Sequence, residues 1–378
     1  MPSVSAPPAS SRSLAQSRHH PRLRRRRQAL AGAAPRRYNP AMRRRIGLIV
    51  AILVIVAAAY SGFWWIAAGR IADGVAAWAA EAKADGLAVT WRDLRVAGYP
   101  LWFRVELADF ALDDAASPLR PELRAASLSA RAHPWAYRDW TIAAPQGIEA
   151  RLGGVGRLGA ATAAGAVSVG EEGGAAVWLD LADAQAEAAA AADGHVAART
   201  ADFWAIVPAR PPAGHDQPDL GVAVDLRGLS VPEAPPGFAP AIDELALGAT
   251  VMGPIPAGVP RRAAAAWRDA GGTVELDHFR LVWGGLKVAA SGTLALDQDL
   301  QPIAAFSGTV SGFDAVIAAL VASGRMSESD GRLARLGLSL LAKPGPDGKP
   351  ELASSLTVQN GEIYLGPAKL GPAPRLVW

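Results

Sequence analysis

Cysteine is absent from all 378 residues, which excludes disulfide bonds, thiolate catalysis and cysteine-based zinc sites. Acidic residues are absent from the first 45 positions, although 12 arginines occur there. Charged residues of either sign are then absent from residues 46–68. These absences divide the chain into a basic leader, an apolar run and a charged remainder, and the remainder must hold itself together by packing alone.

The apolar run predicts a transmembrane helix. Its 23 residues would form a helix of about 34 Å at 1.5 Å per residue, which exceeds a hydrocarbon core of about 30 Å. Five residues indicate its orientation: Arg43, Arg44 and Arg45 before the run, and Trp64 and Trp65 near its end. The positive-inside rule then predicts a single pass with a cytoplasmic N-terminus and a periplasmic ectodomain.

A cleaved signal peptide is the alternative, with a small-residue site at alanines 57–59. Apolar cores of signal peptides usually contain only about 7–15 residues, so the length of the run favours an uncleaved anchor over residues 42–69. Residues 1–41 contain almost no large apolar side chain and are expected to form a disordered basic leader. Met42 is an alternative start, because the arginines after it would suit a membrane anchor on their own.

The rest of the chain is acidic. It contains 26 Lys and Arg against 35 Asp and Glu, a net charge of −9, although the pI of the whole sequence is 9.4. Nucleic-acid binding by the ectodomain is therefore not expected, because affinity for phosphates requires clustered basic side chains. Abundant alanine and an excess of arginine over lysine are typical of a GC-rich bacterial genome, so the expected location is a bacterial inner membrane.

Beyond residue 86, apolar and polar side chains alternate at period two in short runs separated by Gly, Pro and Asp. This is the pattern of half-buried antiparallel strands. Helices are predicted over 70–84, 261–270, 313–322 and 333–341. The predicted fold is mainly β with a few helices: a transmembrane helix followed by an extended, curved antiparallel sheet with one apolar face. Similar runs at 107–112 and 276–281 indicate an internally duplicated groove.

Proline-rich stretches predict where the ectodomain divides. We expect an N-terminal β-rich half over 70–206, a linker over 207–240 and a C-terminal β-rich half with helices over 241–378. Several residues form structural motifs: Gly98, Tyr99, Pro100, Trp267, Gly271, Gly272, Trp283, Gly284 and Gly361. Most of them mark turns. Trp267 follows four alanines in a predicted helix and is expected to anchor packing.

Five stretches have a familiar pattern: TWRDLRVAGYP (90–100), AWRDAGG (266–272), VELDHFRLVWG (274–284), GTLALD (292–297) and VQNGEIYLGP (358–367). They resemble an uncharacterised alphaproteobacterial family of single-pass, periplasm-facing proteins that carry the domain of unknown function DUF2125. The resemblance covers about residues 42–378 and implies no activity. The layout of the family is distantly similar to that of the larger AsmA-like envelope proteins, which implies lipid handling by analogy of fold alone.

Candidate chemistry is sparse in this sequence. Gly154, Gly156 and Gly159 fit G-x-G-x-x-G, but no clean helix follows them and the carboxylates at 171 and 172 come too early for a dinucleotide site. The ectodomain histidines are His133, His195, His215 and His278. None has a second histidine two or four residues on, so metal-site spacing is absent. No catalytic, cofactor-binding or metal-ligating residue is predicted, and we expect that the protein is not an enzyme.

The apolar strand faces are the remaining feature, and two interpretations stay open. They form either an ordinary closed core or an open groove that could hold acyl chains, with Val105 and Val282 pointing inward. The first functional hypothesis is a non-enzymatic, membrane-anchored envelope protein that binds lipid or another apolar ligand. The alternatives are an envelope scaffold that binds a protein partner by a strand edge or apolar patch, and, less favoured, a periplasmic hydrolase.

A fusion of alkaline phosphatase to the C-terminus tests the predicted topology. The arginine asymmetry places the C-terminus outside the cytoplasm, where the disulfides of the phosphatase can form, so the fusion is expected to be active. A matched fusion after Arg45, before the apolar run, is expected to be inactive. An inactive C-terminal fusion would mean that the topology is reversed or that the run does not insert.

Overall fold

The computed structural model describes residues 40–376 except 118, 189–194, 257–258, 346–347 and 367. The described residues form four helices: α1 Pro40–Ala84, α2 Pro260–Asp269, α3 Phe313–Ala322 and α4 Glu328–Leu341. Contacts divide the chain into two units, Met1–Ala58 and Ala59–Trp378. Most of the predicted leader lies outside the described residues.

The same residues form nineteen strands. Those of the first half are β1 Leu87–Thr90, β2 Asp93–Ala97, β3 Phe103–Asp114, β4 Glu122–His133, β5 Ala136–Ala144, β6 Ile148–Leu152, β7 Gly156–Ala160, β8 Thr162–Val169, β9 Ala175–Ala188 and β10 His195–Val207. Those of the second half are β11 Pro218–Ser230, β12 Ala241–Met252, β13 Thr273–Trp283, β14 Leu286–Leu296, β15 Pro302–Ser311, β16 Lys343–Pro344, β17 Pro350–Gln359, β18 Glu362–Leu365 and β19 Ala368–Pro372. The predicted class, mainly β with a few helices behind an apolar N-terminal helix, is confirmed.

All nineteen strands belong to one antiparallel sheet. At its first edge β1 and β2 both pair with β3, and β3 pairs with β4. The next four strands are shorter. β4 pairs with both β5 and β6, β5 pairs with β8, β6 pairs with β7, and both β7 and β8 pair with β9. From β9 to β15 each strand pairs with the next in sequence, and β15 then pairs with β17. Most contacts are thus between consecutive strands, as short loops favour.

The helix α1 is longer than expected. The apolar run and the helix predicted over 70–84 form one continuous helix, since neither Gly69 nor Gly74 interrupts it. It ends at Asp85 and Gly86, where Gly86 adopts a φ of 93°, a left-handed conformation that favours glycine. Within the described ranges, α1 is the one helix that is long and apolar enough to cross a membrane.

The second part of α1 covers the first strands of the sheet. Trp64 and Ala68 are buried against Phe103 of β3, with Val96 of β2 packed beside them. Further along the helix, Ala79 is buried in a cluster that takes in side chains of β1, β3, β4, β5 and β8. The sequence did not predict this cover, because residues 70–84 read as a short helix leaving the membrane rather than as part of the core.

One face of the sheet is apolar across most of its strands. A row of directly opposed residues crosses twelve strands, from β3 to β17: Val105, Ala130, Ile142, Gly165, Leu179, Phe203, Val224, Leu247, Phe279, Ala290, Gly308 and Ser354. Only the last of these is polar. Since opposed residues on neighbouring strands share a face, the sheet has a single continuous apolar side, called here the inner face.

Two strands contain irregular positions that affect which residues face inward. In β3 the pairing skips Asp109, which adopts a φ of 50° and lets the strand continue. Val282 was expected to face inward with Val105. It instead lies opposite Glu244 and Lys287, because a register shift between Leu276 and Phe279 moves the alternation by one residue.

The segment 207–240, expected to be a linker, does not interrupt the sheet. It contains β11, which pairs along its length with β10 on one side and β12 on the other. The prolines that suggested a linker lie in the loops on either side of β11 and at its first residue, where a missing amide hydrogen does not break the ladder. No boundary between two halves therefore falls within 207–240.

The three later helices lie at the far part of the sheet, α3 near β14 and α4 near β17. Trp267 of α2 is buried against Leu296 and Leu300. Phe313 and Ile317 of α3 are buried, and Gly331 of α4 approaches α3 so closely that a Cβ there would lie 2.8 Å from the side chain of Val321. Ser327 caps helix α4, because its hydroxyl accepts a hydrogen bond from the amide of Asp330.

Replacing Trp267 with alanine tests whether α2 is part of the core. Trp267 is 8% exposed and its indole Nε1 donates to the carbonyl of Met252 at 2.9 Å. The variant is expected to lose about 3–5 kcal/mol of unfolding free energy, the usual cost of truncating a buried aromatic residue. Trp78→Ala removes a tryptophan that is 51% exposed and is the matched control.

Urea denaturation followed by circular dichroism measures both variants in mild detergent. Equal stability of wild type and Trp267→Ala would show that the indole contributes nothing to the fold.

Candidate functional site

A cavity of about 610 Å³ lies on the inner face between β4 and β11. All eight of these strands contribute to its walls, with Leu128, Ile142, Leu158, Val167, Leu179, Leu181, Ala201, Phe203 and Leu226 among the lining side chains. Among the described lining residues, only Gln185 and Trp178 carry a polar side-chain group, and Trp178 lies directly opposite Trp204, so its indole points to the outer face. The volume is within the range of about 300–1,000 Å³ that is usual for small-molecule sites.

Irregularities in three neighbouring strands shape this cavity. The lining positions of β9 change from Leu181 to Ala184, those of β10 from Ala198 to Ala201, and those of β11 from Leu226 to Leu229. A spacing of three residues breaks strict alternation, and Asp183 and Gly228 accordingly adopt φ angles of 49° and 62°. Because these irregularities lie side by side in β9, β10 and β11, they change which side chains face the cavity at the same level of all three strands.

Small residues leave room in the cavity. Ala144, Ala163 and Ala201 occupy inner positions on β5, β8 and β10, and Gly165 lies in the main row between Ile142 and Leu179. Larger side chains at these positions would fill the space. The abundance of alanine thus has a structural consequence here.

The inner face is open to solvent at the cavity. Leu158, Val177, Val196 and Phe203 of the cavity wall are exposed, as is Leu247 on the next strand. The first strands lie under α1 and the later ones near α2 and α3, and Leu179 and Leu181 of β9 pack against the cluster that contains Ala79 of α1. Apolar surface of this extent on an isolated chain is characteristic of a binding site.

The chemistry of the cavity is that of apolar contact. In the part of the chain that the structure describes, no group of three His, Asp or Glu side chains is arranged to hold a metal ion. No acid, base or nucleophile converges on the cavity wall, so the arrangement offers neither a proton donor nor a hydrogen-bond donor for a developing charge. What it can do is exclude water from an alkyl chain.

The opposite, outer face carries a ladder of three aspartates. Asp180 of β9 lies directly opposite Asp202 of β10, which lies directly opposite Asp225 of β11. Burial raises the pKa of Asp202, and the hydrogen bond that it shares with Asp180 and the negative charges of Asp180 and Asp225 raise it further. Arg227, 3.4 Å from Asp225, opposes this rise.

The turn Gly98-Tyr99-Pro100 joins β2 to β3 and packs on α1. Gly98 has a φ of 102°, and a Cβ there would lie 2.8 Å from the carbonyl oxygen of Trp102. That carbonyl accepts a hydrogen bond from the indole of Trp64 at 3.1 Å. The glycine is therefore required by the close approach of the turn to its own strand.

The remaining predicted motif residues hold turns and α2. The ring of Trp267 lies where a Cβ of Gly272 would be, 2.3 Å away, and Gly271 beside it has a φ of 82°. Trp283 donates from its indole to the carbonyl of Ala239 at 2.8 Å. The turn residues Gly284 and Gly361 have φ angles of 56° and 72°. None of these motif residues lines the cavity.

The other sequence candidates are also dispersed. Gly154 and Gly156 lie at the turn between β6 and β7, which a strand and not a helix follows. Of the residues that indicated orientation, Trp64 is buried under the turn after β2, whereas Trp65, Arg43, Arg44 and Arg45 are exposed on α1. The histidines lie on separate strands and loops. His278, for example, packs its ring over Gly248, where a Cβ would lie 2.4 Å away.

The cavity residues were not singled out from sequence. Their signal was the period-two spacing of Leu179, Leu181, Ala201 and Phe203, which was visible as strand pattern but did not distinguish a packed face from an open one. That distinction depends on which helices pack where.

The profile of the family DUF2125, described as an uncharacterized protein conserved in bacteria, matches residues 64–374. The chain belongs to this family. No curated protein and no solved structure matches it. The match begins at Trp64, so the DUF2125 region includes the part of α1 that packs on the sheet as well as all nineteen strands.

Asp202→Asn tests the aspartate ladder. The folded state holds the pKa of Asp202 above its unfolded value of about 3.9, so the folded state binds this proton more tightly. Stability conferred by the proton is lost as pH rises from about 4 through the raised pKa. The variant is therefore expected to have a higher Tm than wild type at pH 7 and a flatter dependence of Tm on pH.

Asp216→Asn, which neutralises an exposed loop carboxylate, controls for the change in net charge. A lower Tm for Asp202→Asn at pH 7 would show instead that the attraction of Arg227 outweighs the repulsion.

Proposed function

We propose that this DUF2125 protein is a non-enzymatic, membrane-anchored protein of the bacterial envelope that binds the acyl chains of lipids along the inner face of its sheet. The observation that carries the proposal is the cavity between β4 and β11, whose wall is apolar, spans eight strands and is open to solvent. Acyl chains are the apolar ligands that a membrane supplies in quantity, and an alkyl chain needs no hydrogen-bond partner.

The continuity of the inner face supports a chain-like ligand rather than a compact one. The main row of opposed residues extends beyond the cavity, through Val224 and Leu247 to Phe279. Neighbouring strands lie about 4.8 Å apart. A ligand that crosses several strands therefore contacts a side chain of the next strand at each step. The strand-rich, single-anchor layout is also similar to that of AsmA-like envelope proteins, which adds an analogy of fold.

The proposed location is the inner membrane, with residues after the apolar run in the periplasm. Its support is the length of the uncharged run, the three arginines that precede it and the aromatic residues near its end. The partners proposed are therefore the membrane itself and a lipid. Nucleic acid is not proposed as a partner of the acidic ectodomain.

A second candidate function is an envelope scaffold that binds another protein. Helix α4 favours it, because Leu333, Leu336, Leu340 and Leu341 are all exposed and fall on one side of the helix. Such a face could bind a partner helix. The hydrolase alternative has no comparable support, since no acid, base and nucleophile come together on the cavity wall.

Two neighbouring residues of β10 provide a matched test of lipid binding. Phe203 lines the cavity and is 36% exposed, whereas Trp204 points to the outer face and is 38% exposed. Phe203→Asp places a charge in the path of an acyl chain and is expected to abolish most lipid co-purification, because burying an unpaired carboxylate is strongly unfavourable. Trp204→Asp removes an aromatic ring and adds the same charge outside the cavity, and is expected to retain lipid.

Native mass spectrometry of the full chain, extracted in mild detergent, measures the bound lipid, and far-UV circular dichroism establishes that both variants fold. Wild-type protein that carries no lipid and binds no hydrophobic dye would exclude the lipid proposal. Equal loss of lipid in both variants would show that the effect is one of charge and not of the cavity.

A further inference from the structure

The loop between β2 and β3 is tied to α1 inside the uncharged run. The Tyr60 hydroxyl donates to the carbonyl of Pro100, and the hydroxyls of Ser61 and Tyr99 lie 2.7 Å apart. The Trp64 ring meets the Tyr99 ring edge to face, with centroids 5.5 Å apart. The folded ectodomain therefore begins at about Tyr60, before the uncharged run has ended at residue 68.

This attachment shortens the part of α1 that is available to cross a bilayer alone. Only 14 uncharged residues, 46–59, separate Arg45 from Tyr60. At 1.5 Å per residue they cover about 21 Å, whereas a hydrocarbon core is about 30 Å thick. Arginine side chains at the other end can snorkel, which reduces the deficit. The rest must come from residues after 59, and the loop attached to them enters the membrane interface with them.

A second loop is fixed beside the first. The ring of His133 stacks between those of Trp102 and Trp135, with centroid distances of 3.5 and 4.7 Å. Its Nδ1 donates to the carbonyl of Leu101 at 2.9 Å. The turn between β4 and β5 is thereby held against the loop between β2 and β3. The two loops and the residues beside them form one surface, called here the aromatic tip. It consists of Tyr99, Leu101, Trp102, Arg131, His133, Trp135, Tyr137 and Arg138.

The composition of the aromatic tip suits a membrane interface. Tyr99, Leu101, Trp135 and Tyr137 are all exposed at it. Tyrosine and tryptophan prefer the headgroup layer, where the ring meets hydrocarbon and the polar atom meets water. Two cations accompany them: the guanidinium of Arg131 lies 5.1 Å from the Trp102 ring centre, and that of Arg138 lies 5.8 Å from that of Tyr137. Arginine at this depth can bind lipid phosphates.

We infer that the aromatic tip is a second membrane contact, inserted into the headgroup layer of the same bilayer that α1 is proposed to cross. The inference rests on the proposed membrane anchor. The partner of this exposed surface is the phospholipid interface. The surface is continuous with the anchor and carries interfacial side chains, and its insertion lets the apolar part of α1 match the thickness of the bilayer.

The absence of native cysteine makes a depth measurement direct. Single cysteines at Leu101 and Trp135 of the full chain are labelled with an environment-sensitive fluorophore and reconstituted in phosphatidylcholine vesicles with and without phosphatidylglycerol. Val155→Cys is the matched control: it is 53% exposed against 54% for Leu101, but lies at the opposite ends of the strands, beside the loop that joins β3 to β4. Leu53→Cys, in the uncharged run, reports on the anchor.

Labels at 101 and 135 are expected to lose most of their fluorescence to nitroxide-bearing lipids and to be protected from aqueous iodide, while the label at 155 shows the reverse. If the label at 53 contacts lipid but those at 101 and 135 are as accessible to iodide as that at 155, the tip inference is wrong and the anchor stands. If the label at 53 is itself accessible to iodide, the anchor proposal fails first. Protection at 101 and 135 from both quenchers would place the tip against protein and would overturn the inference.

Far-UV circular dichroism of each labelled variant establishes that it folds. Tyr137→Cys gives a third position on the tip if one of the first two variants does not.

Discussion

An open antiparallel sheet with one apolar face must cover that face or leave it in contact with water, and most features of this protein depend on how the cover is distributed. The inner face is continuous across twelve strands, because directly opposed residues keep to one side from β3 to β17. In the described part of the chain, helices pack near both ends of this face. The second part of α1 packs on the first strands, and α2 and α3 pack on the later ones.

Between these covered ends the inner face lines a cavity. Irregular positions in β9, β10 and β11 change which side chains face it, and alanine and glycine at inner positions keep the space from being filled. The irregular strand positions and the small side chains are both local features. Because they occur at the same level of adjacent strands, both contribute to the same cavity. The hydrophobic effect disfavours leaving such a surface wet, which is why an apolar ligand is the simplest occupant.

The same helix that covers the first strands is also the proposed anchor. Its hydrogen bonds to the loop at Tyr99 and Pro100 tie the start of the sheet to residues 60 and 61 of the uncharged run. The helix continues through Gly69 and Gly74 without a break, and the family profile starts within it. The part of α1 that follows Tyr60 is therefore also part of the core of the sheet.

Much of the local structure could be predicted from the sequence. Period-two alternation identified the β-rich class, Phe313–Ala322 was predicted at its observed bounds, and Gly361 was predicted to mark a turn, where it has a positive φ angle. These features depend on contacts between near neighbours in the chain: alternation about a strand, capping of a helix, and the freedom of glycine in a turn. The absence of cysteine from the chain and the absence of charge from the apolar run were also read directly from the sequence.

Only the tertiary structure decided which side of each strand faces inward and what covers it. Alternation from Leu276 would place Val282 on the inner face, but the register shift before Phe279 reverses it, and that shift is stabilised by pairing with two neighbouring strands. Residues 207–240 contain enough proline to read as a linker, yet β11 lies between partners that are supplied by both flanking segments. Whether a strand face becomes core or cavity depends on helices that are distant in the sequence. The local pattern of a strand does not show where those helices pack.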